Sequence, residues 1–129
     1  MAQVPSSLRK WFLFHFVANG LAGLQLLLVP AWFLHTLGID EFDLITPRLV
    51  GAALLGIGIA SFLVRNKGVA EYKTLLLVKA IWSGIAIVGL MLTLVQYGFG
   101  APEATWFLIP VFVGFHLVWD FYLYKFRGL

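Results

Sequence analysis

The 129-residue chain contains no cysteine, so it has neither disulfides nor thiolate chemistry. It is also poor in charge. Only 12% of its residues are Asp, Glu, Lys or Arg, about half of the roughly 25% of an ordinary soluble domain. It lacks a GxxxxGK phosphate loop and an HExxH pair, and no motif marks an activated Ser or Thr nucleophile. No low-complexity tract, soluble module or internal repeat interrupts it. What is present instead is apolar surface: 61% of the residues are hydrophobic, more than a soluble fold of this length can bury. A bilayer imposes no such limit.

Four apolar runs are long enough to cross one. About 20 residues at about 1.5 Å each span the hydrocarbon core. The runs are 11–34, 48–64, 74–96 and 105–124. The first follows Arg9 and Lys10 in the manner of a signal peptide. It continues well past the roughly 7–15 residues of a signal core and reads as a retained span. The runs lack the alternation of barrel strands, so helices are expected. The predicted fold class is all-α: a single membrane domain over 1–129, built as an antiparallel bundle of four transmembrane helices.

Charge sets the expected orientation. Arg9, Lys10, Arg65, Lys67, Lys73, Lys125 and Arg127 fall on one side. Asp40, Glu41, Asp43 and Glu103 fall on the other, with Arg48 the one basic residue there. The positive-inside rule puts the basic side, and with it both termini, in the cytoplasm. The net charge of +3 then follows from topology, and nucleic-acid binding is not expected. Trp11, Tyr72, Trp119, Tyr122 and Tyr124 are expected at the inner interface, and Trp32, Tyr97 and Trp106 at the outer one.

Small residues mark close helix approaches: Ala18 and Ala22 in the first run, Gly51, Ala52, Gly56, Gly58 and Ala60 in the second, Ala80 and Gly84 in the third. Packing within the bundle is preferred to an oligomer interface as their purpose. Pro30 and Pro110 each remove a helical hydrogen bond, to the carbonyls of Leu26 and Trp106, and should bend their spans.

The polar residues inside the runs are the candidate site. His15 and Asn19, Lys79 and Ser83, and His116 and Asp120 are i,i+4 pairs, each on one helix face. Counted from the cytoplasmic ends, His15, Lys79 and Asp120 lie roughly 6–8 Å deep, and Asn19, Ser83 and His116 roughly 12–13 Å. Gln25 stands alone further out. Buried charges in a span are normally paired, so a Lys79–Asp120 ion pair is expected, with His15 and His116 around it. The plainer reading is a polar staple that fixes helix register, or a Lys79 that snorkels to the headgroups. The sharper reading is a binding or proton-handling site open to the cytoplasm. His15 and His116 could also ligate a haem b, although their depths differ by several ångströms. A metal centre suits the lysine poorly.

The segments PRLVGAALLGIGIASFLVRN (47–66) and LVKAIWSGIAIVGL (77–90) resemble the DoxX-like small four-helix membrane proteins of bacteria and archaea. The shared features are an Arg entering a glycine-rich second span and a Lys in the third. The likeness covers the whole length in topology and some thirty residues in wording. It implies a prokaryotic cell (inner) membrane. Many members of such families have no assigned activity, and some are thought to be membrane subunits of oxidoreductase systems. The favoured function is non-enzymatic: a scaffold or accessory subunit that binds lipid, quinone or a membrane-protein partner, which includes a homo-oligomer. The rivals are an oligomeric transporter or channel using the Lys/Asp/His layer, then a haem-binding redox subunit, and lastly an enzyme.

Overall fold

The computed structural model describes residues 2–129. The described residues are helical with no strand. The helices are α1 (Ser6–Leu28), α2 (Pro30–Thr36), α3 (Ile45–Leu63), α4 (Val69–Tyr97) and α5 (Glu103–Lys125), with a 3-10 turn at Gly98–Gly100. Four of them, α1, α3, α4 and α5, are long and apolar enough to cross a membrane. Large apolar side chains such as Leu28, Ile85, Val95 and Phe107 stand on their surfaces more than 60% exposed. Such surfaces suit lipid, and the chain is a multi-pass membrane protein.

The boundaries differ from the hydropathy runs for local reasons. Pro30 does not bend the first span but divides it. Its ring has no N–H, Val29 leaves the helical region at φ −134° and ψ 53°, and Pro30 becomes the first residue of α2. Val29 N–H still donates to Gln25 O, and Phe33 N–H to Val29 O. Arg48 Nε donates to Leu27 O in the last turn of α1 at 3.3 Å. The one basic residue on the acidic side thus satisfies a carbonyl that the break leaves open. Pro110, in contrast, lies inside a continuous α5.

α2 stops at a Schellman turn. Gly38 takes φ 74°, a conformation that favours glycine, while its N–H donates to His35 O and that of Ile39 to Leu34 O. α3 begins three residues before the hydropathy run. Asp43 Oδ1 accepts the N–H groups of Ile45 at 2.8 Å and Thr46 at 2.6 Å. These are donors that a helix start leaves without partners, and Pro47 is tolerated so early in the helix. Hydrogen bonds from the Thr46 side chain, then from the Thr46 and Ile45 backbone, hold the Asp43 carboxyl below its ordinary range.

The chain divides into two compact units, Met1–Tyr72 and Lys73–Leu129. In the first, α1 and α3 run in opposite directions, as their contacts show. A Cβ on Gly51 would lie 2.7 Å from Gly23 O, and one on Gly23 would lie 2.9 Å from Gly51 O. Two glycines therefore let the backbones touch. Further along, Gly58 lies against Asn19 and Phe16, and Phe16 stacks on Phe62 at 4.9 Å. At the basic end, Arg9 donates to the carbonyls of Arg65 and Lys67 and lies 5.4 Å from the Tyr72 ring centre. Tyr72 O–H donates to Arg65 O at 3.1 Å, and the ring packs on Phe12 at 4.5 Å.

The aromatic belt is only partly as expected. Trp11, Trp32, Tyr97, Trp106 and Tyr124 are exposed, but Tyr72, Trp119 and Tyr122 are buried. Their size fills the interior, and the Tyr72 hydroxyl finds a backbone acceptor there.

Candidate functional site

The six residues of the expected polar layer divide between the units. His15 and Asn19 are on α1 in the first. Both are buried, 7% and 8% exposed. A polar pair on a helix of this apolar character needs space as well as partners. Gly58 supplies some, since a Cβ there would meet Asn19 Cβ at 3.4 Å. Asn19 Nδ2 is a buried donor without a hydrogen-bond partner.

In the second unit, α4 carries Lys79 and Ser83 one turn apart and α5 carries His116 and Asp120 one turn apart. Three of the four form one string. Ser83 Oγ lies 2.8 Å from His116 Nδ1, and His116 Nε2 lies 3.1 Å from Asp120 Oδ2. Ser83 Oγ also lies 3.1 Å from Ala80 O, the usual back-bond of a helical serine. Exposure rises along the string. Ser83 is 2% exposed, the His116 side chain 30% and the Asp120 side chain 51%.

The expected Lys79–Asp120 ion pair is not formed. The carboxylate pairs with His116 on its own helix. Lys79 Nζ instead lies 5.0 Å from the ring centre of Trp119. Adjacent helical residues point about 100° apart, so the face that brings Trp119 to the lysine turns Asp120 away. A cation over an indole face is attracted by the ring quadrupole, more strongly where water is excluded. Nor does Lys79 snorkel, for it is 1% exposed.

Two residues of this arrangement escaped the sequence reading. Trp119 was expected at the membrane interface, yet the i,i+40 pairing with Lys79 has no local signature. The sequence marks Gly84 as a helix contact, but its neighbour is the imidazole: a Cβ there would lie 3.3 Å from His116 Cε1. The missing side chain makes room for the ring. Its position beside Ser83 was the available hint.

Both ring nitrogens of His116 are engaged, so neither offers a free lone pair for haem iron without breaking the string. No cluster of three or more His, Asp or Glu suited to a metal occurs among the described residues. In the first unit, Ser7, Lys10, Trp11 and Phe14 line an open groove of about 350 Å³, with aromatic walls and one ammonium group.

No family model, no curated protein and no solved structure matches the chain.

Proposed function

We propose that this protein is a non-enzymatic accessory subunit or scaffold of a prokaryotic cell membrane, which binds a transmembrane helix of another subunit along α5. Its four spans form an antiparallel bundle in one membrane domain, with both termini cytoplasmic. The observation that carries this reading is the exposed seam of α5. Phe107, Pro110, Gly114, Leu117, Phe121 and Tyr124 are all exposed, and their spacing alternates three and four residues. That is the spacing of a helix–helix seam. α5 is also the span with the smallest share buried in the protein, 11% against 22–28% for the others. Nothing lies within 4 Å of a Cβ on Gly114, where a partner backbone could approach closely.

Beside the seam stands Asp120, half exposed inside a span. Ionisable residues at such depth normally face protein or water, not lipid. A covering subunit resolves that conflict. The resemblance to DoxX-like proteins, some of which are thought to be membrane subunits of oxidoreductase systems, points the same way. The groove at Lys10, Trp11 and Phe14 would suit an anionic lipid on the same cytoplasmic side. A second reading, an oligomeric transporter, is supported by the Ser83–His116–Asp120 string.

Native mass spectrometry from mild detergent tests the proposal. A stoichiometric assembly is expected, lost in Gly114→Leu and kept in Gly89→Leu, a second glycine with open space around it. A bare monomer in detergent and in nanodiscs, indifferent to both substitutions, would sink the idea. Because the chain lacks cysteine, single-Cys variants also test the topology. An impermeant thiol reagent should label Glu41→Cys, and not Lys67→Cys, in intact cells with permeable outer layers.

A further inference from the structure

The hydrogen bonds of His116 limit where its protons can sit, whatever covers α5. An imidazole nitrogen donates if it bears a hydrogen and accepts if it does not, and an ionised carboxylate only accepts. The Ser83 hydroxyl has one hydrogen and two acceptors within reach, His116 Nδ1 at 2.8 Å and Ala80 O at 3.1 Å. Hydroxyl hydrogens rotate to suit their surroundings.

Two arrangements satisfy every group. In the first, Ser83 donates to Nδ1, His116 is neutral, and its Nε2–H donates to the Asp120 carboxylate. The set then carries one negative charge. In the second, Ser83 donates to Ala80 O, Nδ1–H donates to Ser83 Oγ, and Nε2–H donates to the Asp120 carboxylate; His116 is cationic, and the set is neutral. A neutral His116 protonated on Nδ1 beside an ionised Asp120 is ruled out, because two lone pairs would face each other at 3.1 Å. The two allowed arrangements differ by one proton and by the swing of one hydroxyl.

We propose that Ser83, His116 and Asp120 form an intramembrane binding site for a single proton, with the Ser83 hydroxyl turning to accept either form. One proton from water adds to the set, its charge goes from one negative to zero, and no other bond is made or broken. Three features make this a built site and not a chance i,i+4 pair. The serine comes from a different helix. It is 2% exposed, so its hydroxyl has protein partners in place of solvent. Gly84 removes the side chain that would push the ring away, with a Cβ at 3.3 Å. The other ionisable residue that α4 brings near this level is Lys79, one turn from Ser83 with its ammonium over Trp119. Asp120 is the charged partner on α5 itself. The gradient of exposure from Ser83 to Asp120 leaves the carboxylate as the open end.

The test is nitrogen NMR of the full chain, labelled with [15N]histidine, in nanodiscs between about pH 5 and 9. His116 is assigned as the signal lost in His116→Gln. Its neutral form is expected as the Nε2–H tautomer, and it is expected to gain a second N–H on acidification. The neutral Nδ1 signal should shift in Ser83→Ala, where the donor is gone, and stay in place in Ser83→Thr, which keeps a hydroxyl. A neutral Nδ1–H tautomer would overturn the proposal. So would a His116 that carries the same number of protons throughout. The tautomer is read on the unaltered protein, so the test survives a variant that does not fold.

Discussion

The two units join their helices by different means. α1 and α3 meet through absence: Gly23 and Gly51 have no side chains, and the backbones close until each alpha carbon faces the other's carbonyl. α4 and α5 meet through polar side chains, with Ser83 on His116 and Lys79 over Trp119. Lipid gives no hydrophobic push between helices, which leaves dispersion at close range and hydrogen bonds as the two adhesives. Within the spans, close backbone contact marks the first unit and polar side-chain contact the second, while the hydrogen bonds of Arg9 and Arg48 in the first lie near its helix ends. A glycine contact is uniform, and it can do little chemistry. A polar contact has protonation states. Chemistry is therefore to be sought in the second unit, and rigidity in the first.

Substitutions can break this contrast, beginning with the largest effect. Gly51→Leu puts a branched side chain where even a Cβ would lie 2.7 Å from a carbonyl oxygen. Overpacking of a closed contact costs about 1–3 kcal/mol and occasionally more, and this case belongs at the top of that range. A steep loss of folded protein in mixed-micelle unfolding is expected, and a stable Gly51→Leu would deny that the backbones touch. His116→Ala removes the string between α4 and α5. Interhelical polar contacts in membranes are worth about 0.6–2 kcal/mol, so a moderate loss is expected in the same assay. If the histidine variant were the more damaging of the two, the contrast would be reversed.

Asn19 sharpens it further, because it is a polar residue placed in the glycine-packed unit. Its Nδ2 is buried without a partner. Replacing an unsatisfied donor by an apolar group of similar size removes a desolvation cost of about 1–3 kcal/mol, so Asn19→Leu should stabilise the protein modestly. A destabilised Asn19→Leu would instead give the amide a function.

Smaller still is the effect of Asp43, at the start of α3. Its carboxyl titrates below the ordinary value because the folded state donates hydrogen bonds to the ionised form. The sign follows from linkage. The stabilisation is complete above the ordinary carboxylate value and is lost as pH falls through the lowered one. Asp43→Asn keeps a cap and should remove that acid dependence, as read by thermal melts over the acid range. Least affected should be Gly56→Ala, since nothing lies within 4 Å of the added carbon. Its melting temperature should equal or slightly exceed that of the parent, which would show that the first unit requires glycine at the Gly23–Gly51 contact and not throughout α3.

Much of this was legible in the linear chain. The long apolar runs, the missing charge and the one-sided arginines and lysines specified four membrane-capable helices, because a buried backbone in lipid has few alternatives to a helix. The i,i+4 spacing put His116 and Asp120 on one face, and depth counting put Ser83 level with His116. The break at Pro30 was half visible: proline removes a donor wherever it stands. Yet Pro30 divides a helix and Pro110 does not, and the sequence around each does not say which. The Arg48 side chain that serves Leu27, and the Asp43 cap that starts α3 early, arise from the fold and from turn geometry respectively.

Rotation of one helix against another was not legible at all. Counting along a span gives a depth, and depth alone put Lys79 opposite Asp120. Which of two adjacent residues faces a neighbour depends on an angle that only packing fixes, and packing turned Trp119 to the lysine and left Asp120 with His116. The sequence by itself determined how many membrane-capable helices there are and which residues share a face, because hydropathy and helical periodicity are local. The tertiary structure alone decided which polar groups meet, because hydrogen bonds extend only about 3 Å and a turn of 100° carries a side chain out of reach.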